Sequence, residues 1–288
     1  MSMNDARHSP YSDPRHHEPL VRAVEADVAS IARAVTNVIG HYRAEDLDPS
    51  TASEIHLRTV AEILDADQSR HQLSLAEPRP PRDRVQGCCR DHSLLAVSIL
   101  RSHDVAARTR VGFASYFLPD WWCDHVVTEV WEDGRWRRFD PEFVDGGADF
   151  SPHDLDRSGD GAFLTAAQAW LGWRRGERDL TNFGVGPDVP ELSGPDFVRD
   201  YVIYEAAHLA GDELLLWDVW GGMDNPDESI DLELIDRLAG LLVTDEEQAV
   251  ALYLADERLH PGTEVTRLDP LGGPAAVEAL PARGETAP

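Results

Sequence analysis

The chain has no lysine: all 26 of its basic residues are arginine, set against 53 acidic residues, for a formal net charge of −27. That balance opposes nucleic-acid binding, which needs a positive footprint, and opposes attraction to anionic lipid. The acidic residues are spread along the chain and read as a solubilising surface. The sharper alternative is a preference for a cationic substrate or partner. Cysteine is scarce too, with three in 288 residues, which argues against a disulfide framework. No apolar run approaches the roughly 20 residues that cross a bilayer, so no membrane partner is expected. The first 18 residues lack the apolar stretch of a secretory signal. The expectation is a cytoplasmic chain whose thiols stay reduced. There is no phosphate-binding P-loop, no dinucleotide fingerprint and no serine nucleophile elbow, so no cofactor is expected.

What is present is enough for a substantial core: 288 residues, 42% hydrophobic. The most informative stretch is Gly87-Cys88-Cys89-Arg90-Asp91-His92-Ser93-Leu94-Leu95. From Cys89 to His103 there is neither Pro nor Gly, and Leu94, Leu95, Ala96, Val97, Ile99 and Leu100 suit a buried helix. Gly87 just before it lets the backbone turn sharply. Cys89 is thus expected in the first helical turn, where unpaired N–H groups and the helix dipole favour a thiolate and face a developing oxyanion.

A second element supplies a base and an orienter. Val126 to Trp131 is rich in β formers, Asp133-Gly134 is a two-residue hairpin signal, and Arg135 to Phe139 reads as the return strand. With that loop Glu132 faces Arg135, and Glu129 faces Arg138 in an opposite-charge pair. The same register sets His125 opposite Glu142, with Asp140 two residues away on the same side of the sheet. Such diagonal neighbours are roughly 7–8 Å apart at Cα. The helix start with Cys88 and Cys89, together with His125 and Asp140, thus supplies the parts of a thiol nucleophile, its base and an orienter for the base.

Zinc is the chemical rival, since Cys88, Cys89, His92, Cys123 and His125 are all soft ligands. There is no Cys-x-x-Cys pair, however, and adjacent cysteines do not easily both take tetrahedral positions, so no metal site is assigned. Cys88 and Cys123 read as packed thiols. Arg90 and Asp91 read as fixing the helix start, and His92 as a surface or supporting histidine one turn after Cys89.

Gly87, Cys89 and Asp91 before an apolar helix, then Asp124-His125 on an alternating strand, then Asp140-Pro141, resemble the motifs of the transglutaminase-like superfamily. The resemblance is carried by about residues 87–143. Weaker words, among them Asn182-Phe183-Gly184 and Trp217-Asp218-Val219-Trp220-Gly221, resemble those of bacterial transglutaminase-like proteins. The resemblance implies an α+β fold with a papain-like core, in which a catalytic helix packs on an antiparallel sheet, and with helical N- and C-terminal additions. It also implies Cys89 as nucleophile, His125 as base and Asp140 as orienter. The implied chemistry is acyl transfer or hydrolysis at an amide, peptide or thioester carbonyl through a Cys89 thioester. Alternatives are amide formation in small-molecule biosynthesis and a non-catalytic binding module on the same fold. Upstream the pattern departs from the family: Gln86, Trp121 and Trp122 are candidates for the second oxyanion donor, but spacing singles out none of them.

Along the chain, residues 1–18 read as a solvated, disordered tail in which His8, His16 and His17 bind metal at most adventitiously. One domain is expected over 19–262, with its core at about 80–150 and a helical part over 151–262. Helices are expected over 19–42, after a cap at Thr51 or Ser53, and at about 163–175, 196–210, 229–243 and 245–257. Residues 263–288 read as a loose tail.

Overall fold

The computed structural model describes residues 3–144, 150–155, 162–223 and 231–282. The fold is α+β and divides into two compact units, Met1–Arg110 with Val126–Ala162 and Val111–His125 with Phe163–Pro288. Both dividing lines fall inside unbroken strands, between Arg110 and Val111 in one and between His125 and Val126 in the other.

The first unit opens with helices α1 (Glu18–Arg22) and α2 (Val28–Val38), strand β1 (Ile39–His41), helix α3 (Val60–Arg70), strand β2 (Val85–Gly87) and helix α4 (Cys89–Ser102). The single helix expected over 19–42 is two helices, because Asp27 caps a new start by accepting from the Ser30 N–H at 3.0 Å. The next helix begins at Val60, where Thr59 and Glu62 form a capping box; the Thr51 and Ser53 region is a 3-10 turn instead. β1 and β2 pair in parallel, with His41 opposite Gly87, and β2 delivers the chain to α4. All 14 residues of α4 are buried, so this helix runs through the core of the unit.

The N-terminal residues depart from the solvated tail expected of them. Tyr11 is 1% exposed and Ser12 fully buried. Arg101 donates to Ser12 Oγ at 2.9 Å, Ser102 Oγ lies 3.2 Å from His8 Nε2, and the Val60 N–H donates to the Tyr11 carbonyl at 2.8 Å. The polar residues that looked like tail composition serve as partners for buried polar groups of α4 and for the start of α3.

Strands β3 (Ala107–Leu118), β4 (Trp121–Glu132) and β5 (Arg135–Phe139) follow. Asp133 and Gly134 have φ of 51° and 78°, the left-handed pair that a tight hairpin loop requires. The register is the expected one, with Glu132 opposite Arg135 and Glu129 opposite Arg138. Glu129 is fully buried and accepts from three arginines: Arg108 at 2.7 Å, Arg110 at 2.8 Å and Arg138 at 2.9 Å. Burial opposes its ionisation, but the Arg110, Arg108 and Arg138 guanidinia outweigh that and hold its carboxyl far below the usual range.

The second unit adds β6 (Phe163–Thr165), α5 (Ala166–Arg174), β7 (Phe183–Gly184), α6 (Pro195–Leu209), β8 (Asp218–Val219), α7 (Leu232–Thr244), α8 (Glu246–Ala255), β9 (Glu264–Arg267) and β10 (Ala276–Ala279). The five-stranded sheet runs β5-β4-β3-β6, and β7 pairs in parallel with the start of β4. Gly112 on β3 is needed for close approach: a Cβ there would lie 2.0 Å from the Leu164 carbonyl oxygen on β6. The four late helices lie where periodicity sets them. The tail expected to be loose instead builds a three-stranded sheet, β10-β9-β8, by long-range pairing; residues 283–288 lie outside the described residues. Trp170 and Trp220 are core residues, donating to Asp236 and to the Leu259 carbonyl at 2.8 Å each.

Candidate active site

The start of α4 is fixed by its own charged residues. The Cys88 N–H, at the N-cap, donates to Asp91 Oδ2 at 2.8 Å. Arg90 is fully buried; it donates to Asp91 Oδ1 at 2.8 Å and to the Arg58 carbonyl at 2.6 Å, and its guanidinium lies 5.9 Å from the Tyr11 ring centroid. These contacts orient the first turn, which leads off with Cys89. Gly87 serves by its lack of bulk: a Cβ would lie 2.9 Å from Asp91 Oδ2 and 3.0 Å from Ile39 Cγ2.

α4 is then fastened to β4. Ser93, one turn along, donates from Oγ to the Val126 carbonyl at 2.8 Å. Val126 follows His125 directly, so this bond ties the turn behind Cys89 to the strand position beside His125. His125 is 3% exposed and meets the Phe117 ring edge-to-face at 4.8 Å and the Tyr116 ring at 6.1 Å. Its neighbour Asp124 accepts a very short hydrogen bond from Tyr201.

Ligand-type atoms of Cys89, His125 and Glu142 all lie within 4.8 Å of one another. Sequence reasoning gave Glu142 no role, although the hairpin register already set it opposite His125. Glu142 Oε1 is buried and has no hydrogen-bond partner among the described residues; it lies 3.7 Å from His92 Nδ1. His92 is 2% exposed rather than a surface residue. Its ring nitrogens sit 3.0 Å from the Cys88 carbonyl and 3.2 Å from the Ile39 carbonyl, which buttress the helix start against β1.

Asp140 is fully buried. The β4–β5 ladder ends at Thr128 opposite Phe139, so Asp140 begins a turn: its N–H donates to the Pro152 carbonyl at 2.8 Å, and its Oδ1 accepts from the Glu142 N–H at 3.0 Å. Asp140 thereby holds the backbone of Glu142.

Cys88 is less suited to attack. At Cys88 a hydrogen bond with Cys89 lowers the thiol pKa, but burial and the Asp91 carboxylate more than offset it, and the net direction is upward. Cys123 is buried on β4, opposite Gly184 of β7. Of the oxyanion candidates, Gln86 spends its amide on the Asp48 carbonyl and on Thr51 Oγ1, and Trp121 donates to the Gly184 carbonyl at 3.1 Å. Trp122 stacks on Phe183 at 5.2 Å. Of the five soft ligands weighed for zinc, Cys89 and His125 fall in the group completed by Glu142, a donor set that also suits that metal. A second group, His16, His17 and Asp65, lies elsewhere in the first unit.

A cysteine leading a buried helix, with a histidine on the adjoining strand, is an arrangement that thiol-based acyl chemistry can use. Residues 58–141 match the family model of the transglutaminase-like superfamily. No curated protein matches it. A solved structure of an inferred cysteine protease from Cytophaga hutchinsonii is similar at 18% identity and a TM-score of 0.33, over 50% of this chain and 43% of that one. The chain thus spans less than half the length of that protein.

Proposed function

We propose that this protein forms an acyl-enzyme at Cys89 and passes the acyl group to water. The observation that carries the reading is the Cys89, His125 and Glu142 grouping at the start of α4. In the first step Cys89 Sγ attacks the carbonyl carbon of an amide, peptide or thioester, and His125 takes the thiol proton. The oxyanion that forms is met by backbone N–H groups at the start of α4. The bond to the leaving group breaks, His125 returns the proton to it, and a thioester remains. Water, deprotonated by His125, then releases the acid. In this reading Asp140 orients the His125 ring and fixes its tautomer.

Hydrolysis is preferred over cross-linking because an amine competes with water only when it is held close and deprotonated. Such positioning is worth roughly 7–11 kcal/mol. Nothing in the sequence identifies a pocket for a lysine side chain. The residues of the chain include no lysine that could serve as an acceptor. Amide formation in small-molecule biosynthesis is the second reading, favoured by the Glu142 oxygen, which could receive an amine N–H. The test is to acylate Cys89 and then add amines of several sizes at fixed pH. Accumulation of the free acid alone supports hydrolysis; amine products at low amine concentration overturn it.

A further inference from the structure

We propose that His16, His17 and Asp65 form a divalent transition-metal site that clamps the N-terminal segment to α3. The two imidazole Nε2 atoms converge on one carboxylate oxygen: Asp65 Oδ1 lies 3.1 Å from His16 Nε2 and 2.8 Å from His17 Nε2. The three ligand-type atoms lie within 4.8 Å of one another. Zinc binds imidazole nitrogen and carboxylate oxygen at roughly 2.0–2.2 Å, which puts tetrahedral ligands about 3.3 Å apart. The His–Asp separations are already close to that, so a metal would need only a slight opening of the cluster. Adjacent cysteines do not readily share a metal, but imidazole arms are longer. The His16 and His17 rings lie 4.0 Å apart with their planes at 38°, a tilt that lets both nitrogens reach one point. The donor set, two neutral imidazoles and a carboxylate, suits zinc, nickel or copper(II) rather than calcium or magnesium.

The position gives the site a consequence. Asp65 lies midway along α3, and His16 and His17 close the segment whose Tyr11 and Ser12 pack under α4. That segment is already tied to the start of α3 through the Val60 N–H and to α4 through Arg101 and Ser102. A metal at its end would add a third tie, and with it rigidity beneath the helix that carries Cys89.

The experiment is a titration of the full chain with zinc alone by calorimetry, and with cobalt(II) by absorption, in wild type, Cys89→Ala, His16→Ala and Asp65→Asn. His16 and Asp65 are exposed, with side chains 68% and 57% accessible, so both variants should keep the metal-free melting temperature. The expected result is one zinc per chain that persists in Cys89→Ala and raises the melting temperature. Cobalt bound in Cys89→Ala should show d–d bands without thiolate charge transfer. His16→Ala and Asp65→Asn should each weaken zinc by at least the roughly 10–100-fold that loss of an outer-shell partner costs. No zinc binding, unchanged affinity in His16→Ala and Asp65→Asn, or binding lost in Cys89→Ala would each overturn the proposal. In the last case the metal belongs to the Cys89, His125 and Glu142 group.

Discussion

Ser93 Oγ donates to the carbonyl of Val126 at 2.8 Å, and that bond joins α4 to the strand one residue past His125. Both partners are fully buried, so this tie between α4 and β4 is an interior hydrogen bond.

Ser93→Ala is expected to lower stability by about 1 kcal/mol, the net worth of one such bond. It should lower the rate more than that loss implies, because misplacement by about 1 Å can cost roughly 100-fold. Denaturant unfolding and turnover on the same preparation check this; a stability loss with no rate loss would count against the coupling.

Glu129→Gln is expected to cost about 3–5 kcal/mol at pH 7, since three buried guanidinia lose their counter-charge. The folded-state pKa of Glu129 lies below its ordinary value of 4.5, so its contribution is fully present above that pH and is lost as the pH falls below it. Wild type should therefore lose stability through this range more steeply than Glu129→Gln. Parallel acid-unfolding curves would contradict the account.

Alkylation should strike Cys89 first. Cys88 is held as a thiol by burial and by Asp91, whereas Cys89 leads α4, where unpaired N–H groups favour a thiolate. Limited iodoacetamide treatment followed by peptide mapping is the check. Prior labelling of Cys88 or Cys123 would reverse the assignment.

Asp140→Asn is expected to keep the fold, since the amide oxygen can still accept from the Glu142 N–H. On the proposed role, turnover should fall by up to on the order of 10⁴-fold, because an imidazole without its carboxylate takes the wrong tautomer. If the rate is unchanged while Glu142→Gln is slow, the orienting carboxylate is Glu142.

The hairpin and the helix start were legible in the sequence because local chemistry dictates both. Asp133-Gly134 admits one turn geometry, and that turn fixes the facing of Glu129 and Arg138 without further information. The Thr59–Glu62 capping box is equally local, but Thr51 and Ser53 offer the same kind of cap a few residues earlier, so local chemistry alone does not choose among them. What the sequence hid depends on partners far away. Tyr11 and Ser12 look solvated until α4 is in place to receive them. Likewise β9 pairs with β8 across more than forty residues, which no local period announces. Within the site, Glu142 was assigned a facing but no role, because its proximity to Cys89 arises after the ladder has ended.

The most direct test of Cys89 as the nucleophile is intact-mass analysis after brief exposure to activated acyl donors, with His125→Ala and Cys89→Ala alongside. The account predicts a single acyl adduct in wild type that maps to Cys89, is released by hydroxylamine as a thioester must be, forms far more slowly in His125→Ala and is absent in Cys89→Ala. An adduct on Cys88 or Cys123, or one that forms equally fast without His125, would contradict it.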